Sequence, residues 1–265
     1  MKKKLANKAF WNNYWKNSLF KNNYVIDQEK DIFNYVSKII QNYRKSNFIN
    51  NKIPLKILEI GGARGNILKK LYHLSNCKIA SLDFSRIGNK FLSSSLAKEN
   101  IKPYKIITAD LFSYKARREY NIVYSLGLVE HFSELDVVIK LHLKFLKING
   151  VLIIGFPDLT NINGALLKYL DKNLYEKHNI KIMDKSFFKS VINNINCKLI
   201  SFQNISSYEP NMMSYKKSKN QFLLKVFLYK IIIKMLHLLK KIHFFKIFNL
   251  QIINSYKIAV IRERL

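Results

Sequence analysis

From Pro54 to about residue 160 the chain repeats one pattern, a short apolar run followed by a helical stretch and then another short apolar run. Leu55–Ile60 reads as a strand, Asn66–Ser75 as a helix, Lys78–Asp83 as a strand, Arg86–Lys98 as a helix and Tyr104–Ala109 as a strand. Asn121–Leu126 is a further strand, Glu134–Ile148 a helix, and Val151–Phe156 a strand entered through an Asn149-Gly150 turn. Strands separated by helices of about 10–15 residues are joined by crossovers, which makes them parallel and covers both faces of the sheet. The predicted architecture is a doubly wound α/β sheet.

The flanks elaborate this core. Between Asp27 and Lys45 the apolar residues Ile32, Phe33, Val36, Ile39, Ile40 and Tyr43 fall at helical spacing, so one face packs on something. After the core, a helix is predicted past Asn163, and another capped by Asp184 over Phe187, Phe188, Val191 and Ile192. Strands are predicted at Lys198–Asn204 and Ser255–Ile261. The expected organisation is a helical cap over 1–53, a core over 54–210, a helical insertion over 211–250 and a last core strand within 251–265.

The charge is uneven. Against 17 acids the 265 residues carry 46 Lys and Arg, a net +29, and Lys outnumbers Arg 39 to 7. AT-rich codon usage alone produces such a lysine bias, while a positive surface also attracts nucleic acid, membrane or another polyanion. Residues 1–53 carry +8 and 211–265 carry +11, whereas the stretch 54–165 carries +7 over twice the length of either. The core is the least basic part. Cys77 and Cys197 stand far apart and outside any zinc-ligand spacing, so neither a disulfide framework nor a structural zinc is predicted. The basic start lacks the apolar run of about 7–15 residues that a signal peptide needs, and no run of about 18 apolar residues exists, so a cytoplasmic protein is expected.

The segment that bears on function is ILEIGGARGNIL, residues 57–68, where Gly61, Gly62 and Gly65 fall between a strand and a helix. There a doubly wound sheet presents backbone N–H groups to a ligand. Counted from Gly61, the dinucleotide spacing G-x-G-x-x-G fails at Ala63 and Asn66, and no Gly-Lys-Ser/Thr follows for a phosphate loop.

What is left, Glu59-x-Gly61-x-Ala63-x-Gly65, resembles the first motif of the class I S-adenosylmethionine-dependent methyltransferases, an acid followed by G-x-G-x-G, with Ala63 in place of the middle glycine. The resemblance implies a Rossmann-like seven-stranded sheet with its last strand antiparallel, and S-adenosyl-L-methionine as cofactor. The glycine loop of Gly61, Gly62, Ala63 and Gly65 would meet the cofactor's amino-acid end, and the Glu59 carboxylate suits its ammonium, directly or through water. Asp83, followed by Phe84, would accept the ribose hydroxyls. Asp110 would accept from the adenine amino group with Leu111 or Phe112 against the ring, although by itself Asp110 reads equally well as a helix N-cap. NIVYSLGLVEHF, with Ser125 at the cofactor, matches the family's fourth-strand segment, and FLKINGVLIIGFPD its turn into the fifth strand. The resemblance spans about residues 54–160.

Methyl transfer from a sulfonium asks the protein chiefly for in-line positioning, and a base helps only where the acceptor must lose a proton. The candidate base is His131 beside Glu130, at the carboxyl edge of the sheet, its other reading being a histidine that positions the following helix. His178 is a second polar candidate. Some ubiquinone-pathway O-methyltransferases carry Glu-x-x-Glu-His for a divalent metal, but here Gly127 stands at the first acid, so no metal is expected. Adenine methylation in nucleic acid would call for Asn/Asp-Pro-Pro-aromatic, and the chain reads Ser125-Leu126-Gly127-Leu128, so nucleic acid is not the expected substrate.

In 211–250, Lys230, Lys234, His237 and Lys241 share one helical stripe, flanked by Phe227, Leu228, Ile231, Ile232, Met235, Leu238, Leu239 and Ile242. A narrow basic stripe beside a wide apolar face fits a helix lying on an anionic membrane, and fits equally a lid over the pocket. The expected function is methyl transfer to the oxygen of a small-molecule, saccharide or lipid-linked acceptor. The alternative is a non-catalytic protein that keeps the cofactor fold and docks RNA or membrane.

Overall fold

The computed structural model describes residues 4–6, 9–12, 27–62, 65–206, 231, 234–235, 238 and 255–264. The strands are β1 (Leu55–Ile60), β2 (Cys77–Asp83), β3 (Lys105–Thr108), β4 (Tyr120–Leu126), β5 (Leu146–Pro157), β6 (Cys197–Ser206) and β7 (Tyr256–Glu263). They form one seven-stranded sheet in the order β3-β2-β1-β4-β5-β7-β6. The first five are parallel, and β7 inserts antiparallel between β5 and β6. The sheet and its antiparallel last strand are as expected from the sequence.

Strand side chains alternate between two cores, as the pleat requires. Leu58 and Ile60 of β1, with Val123 of β4 and Ile154 of β5, face one core. Ile57 with Ile79, Ile122 and Ile153 faces the other. The second core is covered by α1 (Asp27–Ser46), which contributes Ile32, Val36, Ile40 and Tyr43, and by α2 (Asn66–Ser75) and α3 (Arg86–Lys98). The predicted apolar face of α1 is the one that packs, with Phe33 and Ile39 at its margin. The first core is covered by α4 (Leu135–Leu143) and α7 (Lys185–Asn194), between which the chain forms α5 (Ile162–Leu170) and the short α6 (Lys172–Tyr175). Asp184 caps α7 as predicted, accepting the Phe187 N–H at 2.7 Å.

One element departs from the sequence reading. The helix predicted over Glu134–Ile148 ends at Leu143, and the chain enters β5 at Leu146. Asn149, at a left-handed φ of 63°, and Gly150 form an irregularity inside that strand, since Tyr120 pairs with Leu146 but Ile122 with Val151. Phe145 and Leu146 are buried against the first core, and their short apolar run has no period that separates helix from strand.

Of the insertion, Lys230, His237 and Lys241 lie outside the described residues, whereas Lys234, Ile231, Met235 and Leu238 are helical and exposed. Among the described residues no helix is long and apolar enough to cross a membrane.

Candidate functional site

The strand order runs outward from β1 to β2 and β3, then returns to the other side of β1 with β4, so the carboxyl ends of β1 and β4 open a crevice. A cavity of about 700 Å³ lies there, within the range of about 300–1,000 Å³ usual for small-molecule sites. Gly61, Asp83, Phe84, Asp110, Leu111 and His131, all singled out in the sequence, line it. Glu59, Gly62, Gly65 and Ser125 do not, and Ala63 lies outside the described residues.

Gly61 leaves β1 at φ +80°, a conformation that favours glycine, and its N–H is held by the Leu82 carbonyl at 2.8 Å. Gly65 is also left-handed, φ +62°, and a Cβ there would stand 2.2 Å from Leu92 Cδ1 of α3. At Gly62 a Cβ would meet Glu59 Cγ at 2.7 Å and Oε2 at 2.8 Å. The Gly62 and Gly65 positions are therefore required by the protein's own packing. Glu59 is buried, and among the described residues its Oε2 has no partner within hydrogen-bond geometry. Burial pushes its carboxyl up to about 7, opposed by the Tyr124 hydroxyl and reinforced by Asp83 and Glu29.

Asp83 closes β2 with Oδ1 accepting the Ser85 N–H at 2.7 Å, a turn that also sets up Ser85 as N-cap of α3. Asp110 accepts the Phe112 N–H on Oδ1 at 3.0 Å and pairs through Oδ2 with Lys4 at 2.5 Å. No helix follows Asp110, so it is not the helix N-cap that the sequence left open. Ser125 is fully buried and donates to His142 Nε2 at 3.1 Å, since the His142 Nδ1–H is given to the Val138 carbonyl at 2.8 Å. That bond places its side chain in the interior, away from the cofactor contact expected of it.

At the carboxyl end of β4 the chain turns through a 3-10 segment, Val129–His131, that buries both Glu130 and His131. His131 gives its Nδ1–H to the Lys177 carbonyl at 2.8 Å, which leaves Nε2 as a lone pair 3.8 Å from Glu130 Oε1. His178 makes the same arrangement, its Nδ1–H on the Leu174 carbonyl at 2.8 Å, and the two imidazoles stand 4.8 Å apart, centroid to centroid. Burial, then the neighbouring His178, holds His131 down to about 3, and burial lifts Glu130 to about 8. Both are neutral at pH 7. The loop carrying His178 is pinned by Asn179, whose N–H donates to the Glu130 carbonyl at 2.7 Å and whose side chain donates to the Phe132 carbonyl at 3.0 Å.

The N-terminal segment completes the wall. The Leu5 N–H donates to the His131 carbonyl at 2.9 Å, Lys4 bridges to Phe132, and Trp11 lies edge-on to His131 with centroids 5.0 Å apart. Lys4 and Trp11, which line the cavity, and Asn179, which pins the loop beside it, carry no motif, and nothing in the sequence marks them before the fold brings them there.

No family model matches the sequence, and no curated protein matches it. Solved structures do. Magnesium protoporphyrin IX methyltransferase from Synechocystis PCC 6803, with bound S-adenosylhomocysteine, aligns over 97% of this chain and 95% of its own, at 9% identity and TM-score 0.60. Phospholethanolamine N-methyltransferase 2 of Haemonchus contortus, in complex with phosphomonomethylethanolamine and S-adenosylhomocysteine, aligns over 98% of this chain and 60% of its own, at 12% identity and TM-score 0.58. The cyclase SpnF aligns over 86% of this chain and 80% of its own, at 10% identity and TM-score 0.55. The chain has the fold of the class I S-adenosylmethionine-dependent methyltransferases.

Proposed function

We propose that this protein is an S-adenosylmethionine-dependent methyltransferase acting on a small-molecule acceptor, at oxygen. The observation that carries the reading is convergence: the carboxyl ends of β1, β2, β3 and β4 bring Gly61, Asp83, Asp110 and His131 to one cavity. The residues also fit the cofactor chemically, because the orphaned buried Glu59 Oε2 beside the glycine loop is the partner an ammonium wants. Glu59, with the loop of Gly61, Gly62, Ala63 and Gly65, would hold the amino-acid end, Asp83 the ribose, and Asp110 with Leu111 or Phe112 the adenine. When bound, the cofactor supplies an activated methyl group.

The remaining wall is where the acceptor belongs. Phe10, Trp11, Phe112 and Phe132 give it an apolar and aromatic surface, and Glu130, His131 and His178 give it a polar end. A hydroxyl directed at His131 Nε2 would find a hydrogen-bond acceptor there, and His131 is the residue proposed to serve the acceptor's proton. The saccharide and lipid-linked acceptors, and lipid contact by 211–250, rest on the sequence alone. The second reading, a cofactor-binding protein without transferase activity, has the cyclase SpnF on the same fold in its favour.

Isothermal titration with S-adenosylmethionine and S-adenosylhomocysteine tests the cofactor half. Absence of binding at millimolar ligand overturns it. Transfer of labelled methyl groups into a lysate, fractionated into small-molecule, glycan, lipid and RNA pools, tests the acceptor half, with label expected in the small-molecule pool.

A further inference from the structure

We infer that Glu130, His131 and His178 form a binding site for one divalent transition-metal ion, with an open position facing the cavity where an oxygen of the acceptor binds. One donor atom from each residue lies within 4.8 Å of the others, and all three residues line the cavity. Donors around a small ion sit roughly 3.4 Å apart when metal–ligand bonds are about 2.1 Å, so the 3.8 Å between His131 Nε2 and Glu130 Oε1 closes by small side-chain rotations.

The orientation of the donors argues for an ion beyond mere proximity. A ligating histidine characteristically gives its other ring N–H to a carbonyl or carboxylate, which fixes its tautomer and aims the lone pair at the metal. Both imidazoles do this, His131 on the Lys177 carbonyl and His178 on the Leu174 carbonyl, each at 2.8 Å. Independently, Glu130 Oε2 is buried and has no hydrogen-bond partner among the described residues, in a residue 1% exposed. Asn179 clamps the two halves of the site together through the Glu130 carbonyl at 2.7 Å. The acid missing at Gly127 argued against a metal in the sequence, and His178, 47 positions after His131, supplies a third donor by another route.

Two imidazoles and one carboxylate suit zinc or another late first-row divalent ion and discriminate against magnesium, which prefers an all-oxygen shell. Three protein ligands leave a position for an exogenous oxygen. The acceptor's part rests on the methyltransferase reading above: its hydroxyl oxygen would bind the ion, the O–H proton would pass to solvent through the cavity mouth, and the oxygen would be held as an oxyanion with no change of oxidation state. His131 then serves the acceptor through the ion, its Nε2 committed as ligand.

The experiment is isothermal titration of Zn²⁺ and Mg²⁺ into chelator-treated full-length protein, beside the S-adenosylhomocysteine titration. The expected result is one Zn²⁺ per chain and far weaker Mg²⁺. His178→Ala should weaken Zn²⁺ by about 100-fold or more, since even residues that only orient ligands are worth about 10–100-fold, and leave S-adenosylhomocysteine affinity unchanged. Glu130→Gln, which keeps the side chain's volume, is the second variant should His178→Ala disturb the circular-dichroism spectrum. Wild-type protein that binds S-adenosylhomocysteine but takes Zn²⁺ no better than either folded variant overturns the ion site. Zinc bound as expected without S-adenosylhomocysteine binding would leave the ion site standing and overturn the methyltransferase reading.

Discussion

The Glu59 carboxyl fills the space that a side chain at Gly62 would need, with Cδ and Oε2 each 2.8 Å from where that Cβ would be. The acid is thus locked beside the glycine loop. Any side chain at position 62 would displace the buried Glu59 carboxyl.

Cofactor affinity should therefore depend on pH. Burial holds Glu59 up at about 7, with Tyr124 of β4, Asp83 of β2 and Glu29 of α1 as the other groups acting on it. An ammonium binds the ionised carboxylate and lowers its pKa, so cofactor binding expels a proton wherever Glu59 starts protonated. At pH 6 about one molecule in ten is ionised, so S-adenosylhomocysteine affinity should rise roughly tenfold from pH 6 to pH 8 and then level off. Titration calorimetry across that range checks it, and Glu59→Gln should bind more weakly and flatten the profile.

Gly65→Ala should destabilise the fold. The new methyl would stand 2.2 Å from Leu92 Cδ1, at a φ of +62°. Overpacking costs about 1–3 kcal/mol, and left-handed backbone with a side chain adds about 1–2 kcal/mol. Chemical denaturation should show the loss, and Leu92→Val in the same chain should recover part of it, because the two residues share one contact.

The sheet was legible because its signal is periodic. The apolar runs at Leu55–Ile60, Cys77–Asp83 and Tyr120–Leu126 each precede a loop and helix, and the acids Glu59, Asp83 and Asp110 fall at or just past the carboxyl ends of β1, β2 and β3. What the sequence did not reveal depends on contacts between distant residues. Ser125 and His142, 17 positions apart, satisfy each other in the interior, and only the packing of α4 on β4 shows that pairing. The same holds for Lys4 on Asp110, 106 positions apart, and for His178 beside His131. Phe145 and Leu146 were misread because an apolar pair at a helix end carries no period of its own.

Ser125→Ala should separate stability from cofactor binding. It strands the His142 Nε2 acceptor in the interior, a loss of about 1–3 kcal/mol, while S-adenosylhomocysteine affinity stays unchanged. Asp83→Ala should weaken S-adenosylhomocysteine by about 10- to 100-fold, since hydrogen bonds to a charged group are worth about 1.5–3 kcal/mol, and should also cost stability because the buried Ser85 N–H loses its acceptor. Paired calorimetry and denaturation on the two variants would decide the assignment. Cofactor loss in the serine variant would return Ser125 to the binding site.

His131→Ala should leave S-adenosylhomocysteine affinity unchanged and lower methyl transfer by about 100-fold or more, since it removes one of the three side chains that would hold the ion and, through it, the acceptor's oxygen. Its ring lines the cavity, where Trp11 lies edge-on at 5.0 Å and His178 at 4.8 Å, and the Leu5 N–H of the N-terminal segment is bonded to its backbone carbonyl. Removing the side chain therefore keeps that hydrogen bond. His142→Ala is the control, because that imidazole is also buried but lies off the cavity and bonds to Val138 and Ser125. Incorporation of labelled methyl into the small-molecule pool of a lysate should collapse in the first variant and, at a temperature where both are folded, persist in the second. Equal incorporation by His131→Ala and wild type would remove His131 from the chemistry.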